Sequence, residues 1–390
     1  MMKRRWNIIE KFVEKIGLDR TVVSGFRIIK IDFKKLFMHD NVVFDAAGES
    51  LYWLEDGNGF RWLKISDHKL FGVLRAGVKK TKGMKQDFTR LDIMVGDSIQ
   101  GNLQNKSVNE YREIIDTVFR YLGDEYGIFV DLSPLKFSEM EINCTFALEK
   151  EFYQYHRVLQ LMMFLLPKNY RKIMQVSDVN YHQYRIETET CYRGNSSMQV
   201  KIYDKQKHLE QTVSFRTDPH LMRIEFILKK PQKIKEAFSS NSVWELTDDK
   251  LQDFYYCQFL RLFETPYRKW QIMNGKMLRD MIDIHKRNNI KLWKSNLLAE
   301  CSNREQLDQI PMLLDINDLL VEVRKLEKGN HFNRVARGFL RICESHNVYL
   351  QNDSKKIEEI IGKIHEVYEI SQKADETDVV GQEPIHGSVA

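Results

Sequence analysis

Lysines flank one tyrosine in a pattern that could support chemistry on a phosphate. Lys201 and Lys205 stand on either side of Tyr203 in the segment Gln-Val-Lys-Ile-Tyr-Asp-Lys. A phenol has a pKa of about 10, so it attacks phosphorus usefully only where nearby cations favour the phenolate. The lysines are placed to supply that charge. The pattern therefore predicts phosphodiester transesterification with Tyr203 as the nucleophile, although the chain has 16 tyrosines and an ordinary strand tyrosine is the competing interpretation.

Carboxylates in other segments could add a metal ion to this chemistry. Glu141 and Glu225 each stand in a short segment in which polar and apolar residues alternate. Oxygen ligands suit hard divalent cations, and Mg²⁺ or Mn²⁺ bound in this way can polarise a phosphate as a Lewis acid. We therefore predict a site for Mg²⁺ or Mn²⁺ close to the tyrosine.

Strict alternation predicts three strands, at 139–146, 197–205 and 221–229, each with an apolar face and a polar face. If these strands share a sheet whose apolar side is covered by helices, their polar side chains meet on the free face. A further strand at 89–95 adds Arg90 and Asp92 to that face. Any half-exposed sheet alternates in this way, so a plain solvent face remains the alternative. The polar set comprises Glu139, Glu141, Asn143, Thr145, Ser197, Gln199, Lys201, Tyr203, Lys205, Arg223, Glu225 and Lys229.

The remaining periodicity predicts an α+β fold, with an antiparallel-rich sheet, helices on one face and a mostly helical C-terminal half. A capping box at Ser107 and Glu110 opens the best-marked helix, at 108–123. Further expected elements are a helix at 4–17, β-rich segments at 22–77, a helix at 150–166 and a strand near 185–191. The predicted regions are a β-rich part at 1–87, a catalytic core at 88–232, a helical domain at 233–370 and a disordered tail at 371–390.

Composition sets the expected surroundings of the protein. The net charge of +5 over 390 residues permits binding to nucleic acid without requiring it. No apolar run approaches the roughly 20 residues of a membrane span, so we expect no membrane partner and a cytoplasmic location. The five cysteines are far apart and lack metal-ligand spacing, which indicates reduced thiols, mostly in the core.

Four segments, in one order between residues 88 and 235, resemble the replication initiator proteins of phages and plasmids. That family includes the filamentous-phage gene II protein, and the Ile-Tyr-Asp-Lys string is also similar to the plasmid initiators of Gram-positive bacteria. The segments are Phe88-Thr-Arg-Leu-Asp-Ile-Met-Val-Gly-Asp-Ser98 with Gln100-Gly-Asn102, Glu141-Ile-Asn-Cys-Thr-Phe146, Gly194-Asn-Ser-Ser-Met-Gln-Val-Lys-Ile-Tyr-Asp-Lys205 and Leu221-Met-Arg-Ile-Glu-Phe-Ile-Leu-Lys229.

The resemblance implies roles for individual positions. Tyr203 matches the family's nucleophilic tyrosine, and Glu225 matches the acidic residue of its Arg-x-Glu strand. In the Gram-positive initiators a Tyr-x-Gly segment lies just upstream, which makes Tyr192 a rival nucleophile. Asn143 stands where the family has Asp; because an amide is a weaker cation ligand, metal binding would depend on Glu225, Glu141 or Asp92.

Basic and aromatic residues interleave between residues 267 and 294, in the predicted helical half. Lysine and arginine neutralise phosphates and aromatic rings stack on unpaired bases, so this segment is a candidate DNA-binding surface. An ordinary helix with solvated lysines and core aromatics is the alternative. Arg334, Arg337 and Arg341 recur at helical spacing and could face DNA, a partner or solvent. The candidate DNA contacts are Arg223 on the sheet and Arg268, Lys269, Trp270, Lys286, Arg287 and Lys294 in the helical half.

The resemblance implies an initiator of rolling-circle replication that nicks one strand of origin DNA. It would act on supercoiled double-stranded and single-stranded DNA, leaving a 5′-phosphotyrosine and a free 3′-OH. Because the chain contains no P-loop or polymerase signature, a host helicase and a host DNA polymerase are the expected partners. The alternatives are a mobilisation relaxase with the same chemistry and an origin-binding protein that has lost it.

Overall fold

The computed structural model describes residues 14–44, 63–67, 70–81, 84–94, 105–170, 190–212, 220–308 and 310–380. Predictions that fall elsewhere lie outside the described residues, among them the Gln100-Gly-Asn102 segment. Within the described residues, no helix has the length and apolar character needed to cross a membrane.

One large antiparallel sheet organises the N-terminal half of the chain. The strands β2 (Arg27–Ile31) and β7 (Ile128–Asp131) form a separate pair, and α1 (Phe33–Leu36) follows β2. The α+β class is confirmed. In spatial order the sheet contains β3 (Val42–Phe44), β4 (Leu63–Ser66), β5 (Val73–Thr81), β6 (Met84–Met94), β1 (Ile16–Ser24), β8 (Lys136–Leu148), β11 (His220–Leu228), β10 (Met198–Asp204) and β9 (Thr190–Gly194).

The three strands predicted from alternation lie side by side as β8, β11 and β10. Their register places Glu225 opposite Asn143 on one side and opposite Lys201 on the other. Tyr203 lies opposite Arg223 in the same way. Because side chains of paired residues point to the same face, these polar residues share one face of the sheet.

The large helices cover the apolar face of the sheet. The helix α2 (Val108–Asp124) begins with the predicted capping box, in which Ser107 N donates to Glu110 Oε2 at 2.7 Å. Its Tyr111 packs on Phe137 of β8, with ring centroids 6.0 Å apart. The other helices that follow before the C-terminal half are α3 (His156–Leu165), α4 (Lys205–Thr212) and α5 (Pro231–Phe238).

The short helix α4 is an exception to the predicted placement of helices on one face. Its His208 ring lies 5.5 Å from the ring of Tyr203, which places α4 beside the polar face. Lys205 opens this helix and does not extend the strand as predicted, because β10 ends at Asp204. The Asp204 side chain accepts from Lys207 N at 2.9 Å, as a residue at a helix start commonly does.

The C-terminal half is helical, as predicted, but it contributes to two hydrophobic cores. The first core joins the sheet to α2, α3, α5, α6 and α11, and the second lies between α7, α8, α9 and α10. The predicted domain boundary between residues 232 and 233 does not coincide with the limit between the two cores. Helices that follow residue 232 also place apolar side chains on the sheet. The helices are α6 (Asp248–Phe259), a π-helical turn (Leu260–Glu264), α7 (Thr265–Asn288), α8 (Trp293–Asp308), α9 (Ile316–Leu326), α10 (Gly329–His346) and α11 (Asp353–Val380).

The two ends of the described chain differ from the prediction. Gly17, expected to end a helix, lies within β1, where residue 106 pairs with the strand. A Cβ atom at Gly17 would lie 2.7 Å from Lys106 O, so the glycine allows this close approach. The tail predicted to be disordered is helical as far as Val380, since Ala, Glu and Lys in that segment favour helix.

Candidate active site

Tyr203 lies on the polar face of the sheet with its phenol held by a carboxylate. Its Oη donates a hydrogen bond to Glu225 Oε1 at 2.7 Å, and the residue is only 4% exposed. Burial, followed by the negative charge of Glu225, raises the pKa of Tyr203 well above its ordinary value. The phenol is therefore neutral in the free protein and needs a proton acceptor to act as a nucleophile.

The predicted lysines lie beside this pair. Lys201 Nζ is 3.2 Å from Glu225 Oε2 and 4.3 Å from the centroid of the Tyr203 ring. Lys205 Nζ is 6.0 Å from the same centroid. The lysines were expected to favour the phenolate; that expectation is wrong for the free protein, because burial and Glu225 act more strongly in the opposite direction.

Arg223 is enclosed by the sheet and does not face solvent. Its Nε donates to Thr145 Oγ1 at 2.6 Å, and its Nη1 lies 2.6 Å from Asp19 Oδ2. At 2% exposure this guanidinium is a structural support of the polar face, which differs from the DNA contact that the sequence predicted. Alternation in the sequence does not reveal Asp19, because this residue lies in an irregularity of β1 between Leu18 and Thr21.

Glu141, Asn143 and Glu225 are the predicted metal ligands that the structure brings onto adjoining positions of β8 and β11. Burial, and then repulsion from Glu225 and Asp19, raises the pKa of Glu141 to about 8. Such crowding of carboxylates is relieved by a proton or by a cation.

The amide of Asn143 adds a further observation at the same place. Its Oδ1 and Nδ2 atoms are buried and have no hydrogen-bond partner within the described residues. A buried polar atom without a partner is costly, and a cation bound to Asn143 Oδ1 would give that oxygen a partner. The described residues contain no group of three His, Cys, Asp or Glu side chains that could hold a metal, so Asn143 would have to complete the ligand set.

Asp92, the fourth predicted ligand, is not part of this group. It lies on β6, which β1 and β8 separate from β11, and it forms an ion pair with Arg20 at 2.8 Å. Arg90 pairs in turn with Glu139 at 2.7 Å. Strands are about 4.8 Å apart in a sheet, so Asp92 is too distant to share a cation with Glu225.

The rival tyrosine can be placed only by its backbone. Tyr192 lies on β9 and pairs with Lys201 of β10. Its side chain lies outside the described residues, so the choice between the tyrosines rests on Tyr203, whose contact with Glu225 is defined.

Part of the predicted DNA-binding segment is used inside the protein. Arg268 forms ion pairs with Glu358 and Glu264, and Trp270 stacks on the buried Tyr267 at 6.0 Å. Trp293 is buried against Phe339 in the second core. These aromatic rings therefore serve the packing of helices, which was the alternative interpretation, and Lys269 is exposed beside them.

The other predicted cations of this segment lie further along α7 and at the start of α8. Lys286 pairs with Glu327, and Arg287 is exposed at the C-terminal end of α7. Lys294 Nζ lies 5.1 Å from the Trp293 ring. Of the predicted cations, Arg268 and Lys286 are therefore paired with glutamates, whereas Lys269, Arg287 and Lys294 form no ion pair among the described residues.

Comparison with known proteins does not add a relative. No protein-family model matches the chain, and no curated protein matches it either. Its own geometry and the four motif segments are therefore what indicate a function for the site.

The raised pKa of Glu141 makes the stability of the fold depend on pH. An unfolded glutamate has a pKa of about 4.3, whereas burial raises that of Glu141 to about 8, so the folded state binds more protons between these values. The stabilisation from this group is complete below about pH 4.3 and is lost as the pH rises towards 8. Over this pH range the free energy of unfolding of the wild type should fall as the pH rises. We expect Glu141→Gln to reduce that fall by on the order of 1 to 3 kcal/mol, as measured by urea denaturation at several pH values.

Glu139→Gln is the matched control for this measurement. Glu139 lies on the same strand and face, but its carboxylate pairs with Arg90 at 2.7 Å. This variant should keep the wild-type dependence on pH. An identical dependence in the Glu141 variant would contradict the assignment of the loss to Glu141.

Proposed function

We propose that this protein is a replication initiator that nicks one strand of origin DNA by tyrosine transesterification. The hydrogen bond from Tyr203 to Glu225, with Lys201 beside both, is the observation that supports this function. A protein that only binds DNA would not need to hold a phenol, a carboxylate and an ammonium group together. Tyr203 and Glu225 are also the positions that the motif resemblance assigns, whereas Lys201 is proposed from its place beside them.

In the proposed reaction Tyr203 Oη forms a bond to phosphorus while the bond between phosphorus and O3′ breaks. Glu225 accepts the phenolic proton across the existing hydrogen bond of 2.7 Å. The products are a 5′-phosphotyrosine and, after O3′ takes up a proton, a free 3′-OH that primes synthesis. Lys201 then pairs with the charge that develops on the transferred phosphate.

Access to Tyr203 requires a change in the protein. Because the phenol is almost fully buried, the scissile phosphate reaches it only when DNA binding opens the polar face. The same opening would release part of the burial that raises the pKa of Tyr203, so substrate binding and activation of the nucleophile are coupled.

Mg²⁺ or Mn²⁺ is the proposed cofactor. Glu141, Asn143 and Glu225 would hold the ion, which fits the crowded carboxylates and the unpaired amide. When bound, such an ion supplies Lewis-acid polarisation of the phosphate. A host helicase and a host DNA polymerase would unwind and copy the nicked DNA.

An origin-binding protein without nicking activity is the second candidate. The burial of Tyr203 and the amide at position 143 favour it, because both weaken the site as a metal-assisted nuclease. A mobilisation relaxase would use the same residues for the same reaction and differs only in the biological outcome.

The deciding experiment incubates the protein with supercoiled DNA that carries its origin, with Mg²⁺ or Mn²⁺ present. We expect nicked circles with protein joined to the 5′ end, and a nucleotide-bearing peptide that contains Tyr203. Binding without nicking would establish the second candidate. Nicked circles with a free 5′ phosphate and no attached protein would reject the tyrosine mechanism.

A further inference from the structure

A group of cations lies on the second core, on the side formed by the end of α7, the start of α8 and α10. We call Arg287, Lys291, Lys294, Arg334, Arg337 and Arg341 the basic patch. Gly338 of α10 lets Lys294 approach, since a Cβ atom there would lie 2.8 Å from Lys294 Cε. The Lys294 stem thus crosses α10 and brings its ammonium group towards Arg334.

The charges of the basic patch are crowded and poorly neutralised. Burial, and then the positive charges of Arg334 and Lys286, lowers the pKa of Lys294. Within the described ranges, Arg287, Lys291, Arg334 and Arg341 form no ion pair, whereas Arg268 and Arg279 on α7 each have a glutamate partner. A surface of one charge sign raises the local concentration of anions and speeds their association.

Exposed aliphatic side chains stand at the tip of the basic patch. Ile290 is 83% exposed and Leu292 is 56% exposed, in the turn between α7 and α8. Asn289 Oδ1 accepts from the backbone N–H groups of Lys291 and Leu292, both at 3.1 Å, which fixes the turn. The protein therefore displays two apolar side chains on an ordered turn, with arginine and lysine on either side.

We propose that the basic patch binds duplex DNA, with its cations on the phosphates and Ile290 and Leu292 inserted in a groove as a wedge that unstacks a base step. Apolar wedges flanked by cations are a recurring means of kinking duplex DNA. The proposal takes DNA as the partner from the proposed function, but it concerns a surface on the second core and needs no nicking.

The geometry fits a DNA strand better than a membrane. Arg334 to Arg341 span about 10 Å along α10 at 1.5 Å per residue, a length over which duplex DNA presents several phosphates. Two aliphatic side chains on a short turn offer little area for a bilayer, where binding strength scales with the apolar area inserted.

The test measures binding of the full-length protein to a short duplex that carries 2-aminopurine, at several salt concentrations. The wild type should raise 2-aminopurine fluorescence on binding, because the probe unstacks. Arg334→Gln/Arg341→Gln should weaken binding and lower the slope of log affinity against log salt by about 2. Ile290→Ser/Leu292→Ser should keep the slope and lose the fluorescence rise.

Matched controls come from exposed positions outside the basic patch. Lys235→Gln removes an exposed cation on α5, and Met273→Ser removes an apolar side chain on α7 that is 73% exposed. Both should bind and unstack the duplex as the wild type does. Wild-type affinity and salt slope in Arg334→Gln/Arg341→Gln would overturn the proposal.

Other outcomes separate this inference from its rivals. If the patch variants bind the duplex normally but no longer bind phosphatidylglycerol vesicles, the surface is a membrane contact and the proposal is wrong. If the wild type binds and unstacks the duplex as expected but never nicks origin DNA, the inference stands and the proposed function fails.

Discussion

Replacing Tyr203 with phenylalanine is expected to abolish nicking and the covalent 5′ adduct, with a loss of activity on the order of 10⁴-fold or more. The substitution removes the attacking oxygen and the hydrogen bond of 2.7 Å to Glu225, while the ring can keep its place beside Lys201. The measurement is the rate of conversion of supercoiled origin DNA to nicked circles, with protein on the 5′ end scored separately.

Tyr192→Phe is the matched control, because Tyr192 pairs with Lys201 on the neighbouring strand. This variant should nick at close to the wild-type rate, and both variants should bind origin DNA normally. If the Tyr192 variant loses the covalent adduct and the Tyr203 variant keeps it, the roles of the tyrosines are reversed.

Arg223→Met is expected to lower the free energy of unfolding by about 3 to 5 kcal/mol, because it leaves a partly buried carboxylate without its partner. Arg223 Nη1 lies 2.6 Å from Asp19 Oδ2, and its Nε holds Thr145. Asp19 would then add unopposed negative charge close to Glu141 and Glu225. Urea denaturation of both proteins at one pH measures the difference.

Asp19→Asn in the Arg223→Met background tests the cause of this loss. Removing the unpaired negative charge of Asp19 should recover part of the free energy of unfolding, since residues of one ion pair show coupling of about 0.5 to 3 kcal/mol. A loss below about 1 kcal/mol in Arg223→Met, within the range of an exposed pair, would show that the buried contact contributes little.

The polar face was predictable because alternation along a strand reports which side chains share a face. Glu141, Lys201, Tyr203 and Glu225 each belong to the polar set of their own strand, and the structure places the three strands side by side. The capping box at Ser107 was equally visible, since it depends on residues close in sequence. Local periodicity therefore located both the polar face and the start of α2.

Features that depend on contacts distant in sequence were not predictable. Asp19 reaches Arg223 across 204 residues, through an irregularity in β1. The burial of Tyr203 depends on what packs over the strand, and alternation alone assigns such a residue to solvent. Trp293 stands among lysines and arginines in the sequence, as a base-stacking residue often does. Only its contact with Phe339 shows that it belongs to the second core.

The division of the helical half was hidden for a related reason. A helix whose apolar stripe faces the sheet has the same periodicity as one that faces another helix. Tyr255 of α6 packs on Phe226 of β11 with ring centroids 4.9 Å apart, which ties α6 to the first core. Sequence periodicity predicts the helices, but it does not show which surface each helix packs on.

The enclosed position of Tyr203 also bears on how a cut strand would be rejoined in the proposed reaction. Bound DNA would take the place of the groups that cover Tyr203, so the phosphotyrosine would stay shielded from water and hydrolysis would compete poorly with return of the 3′-OH. Such an ester would keep the free energy of the broken phosphodiester, and the strand could be resealed without a nucleotide cofactor. An exposed tyrosine would leave that ester open to water, and each failure would leave a permanent break in the DNA.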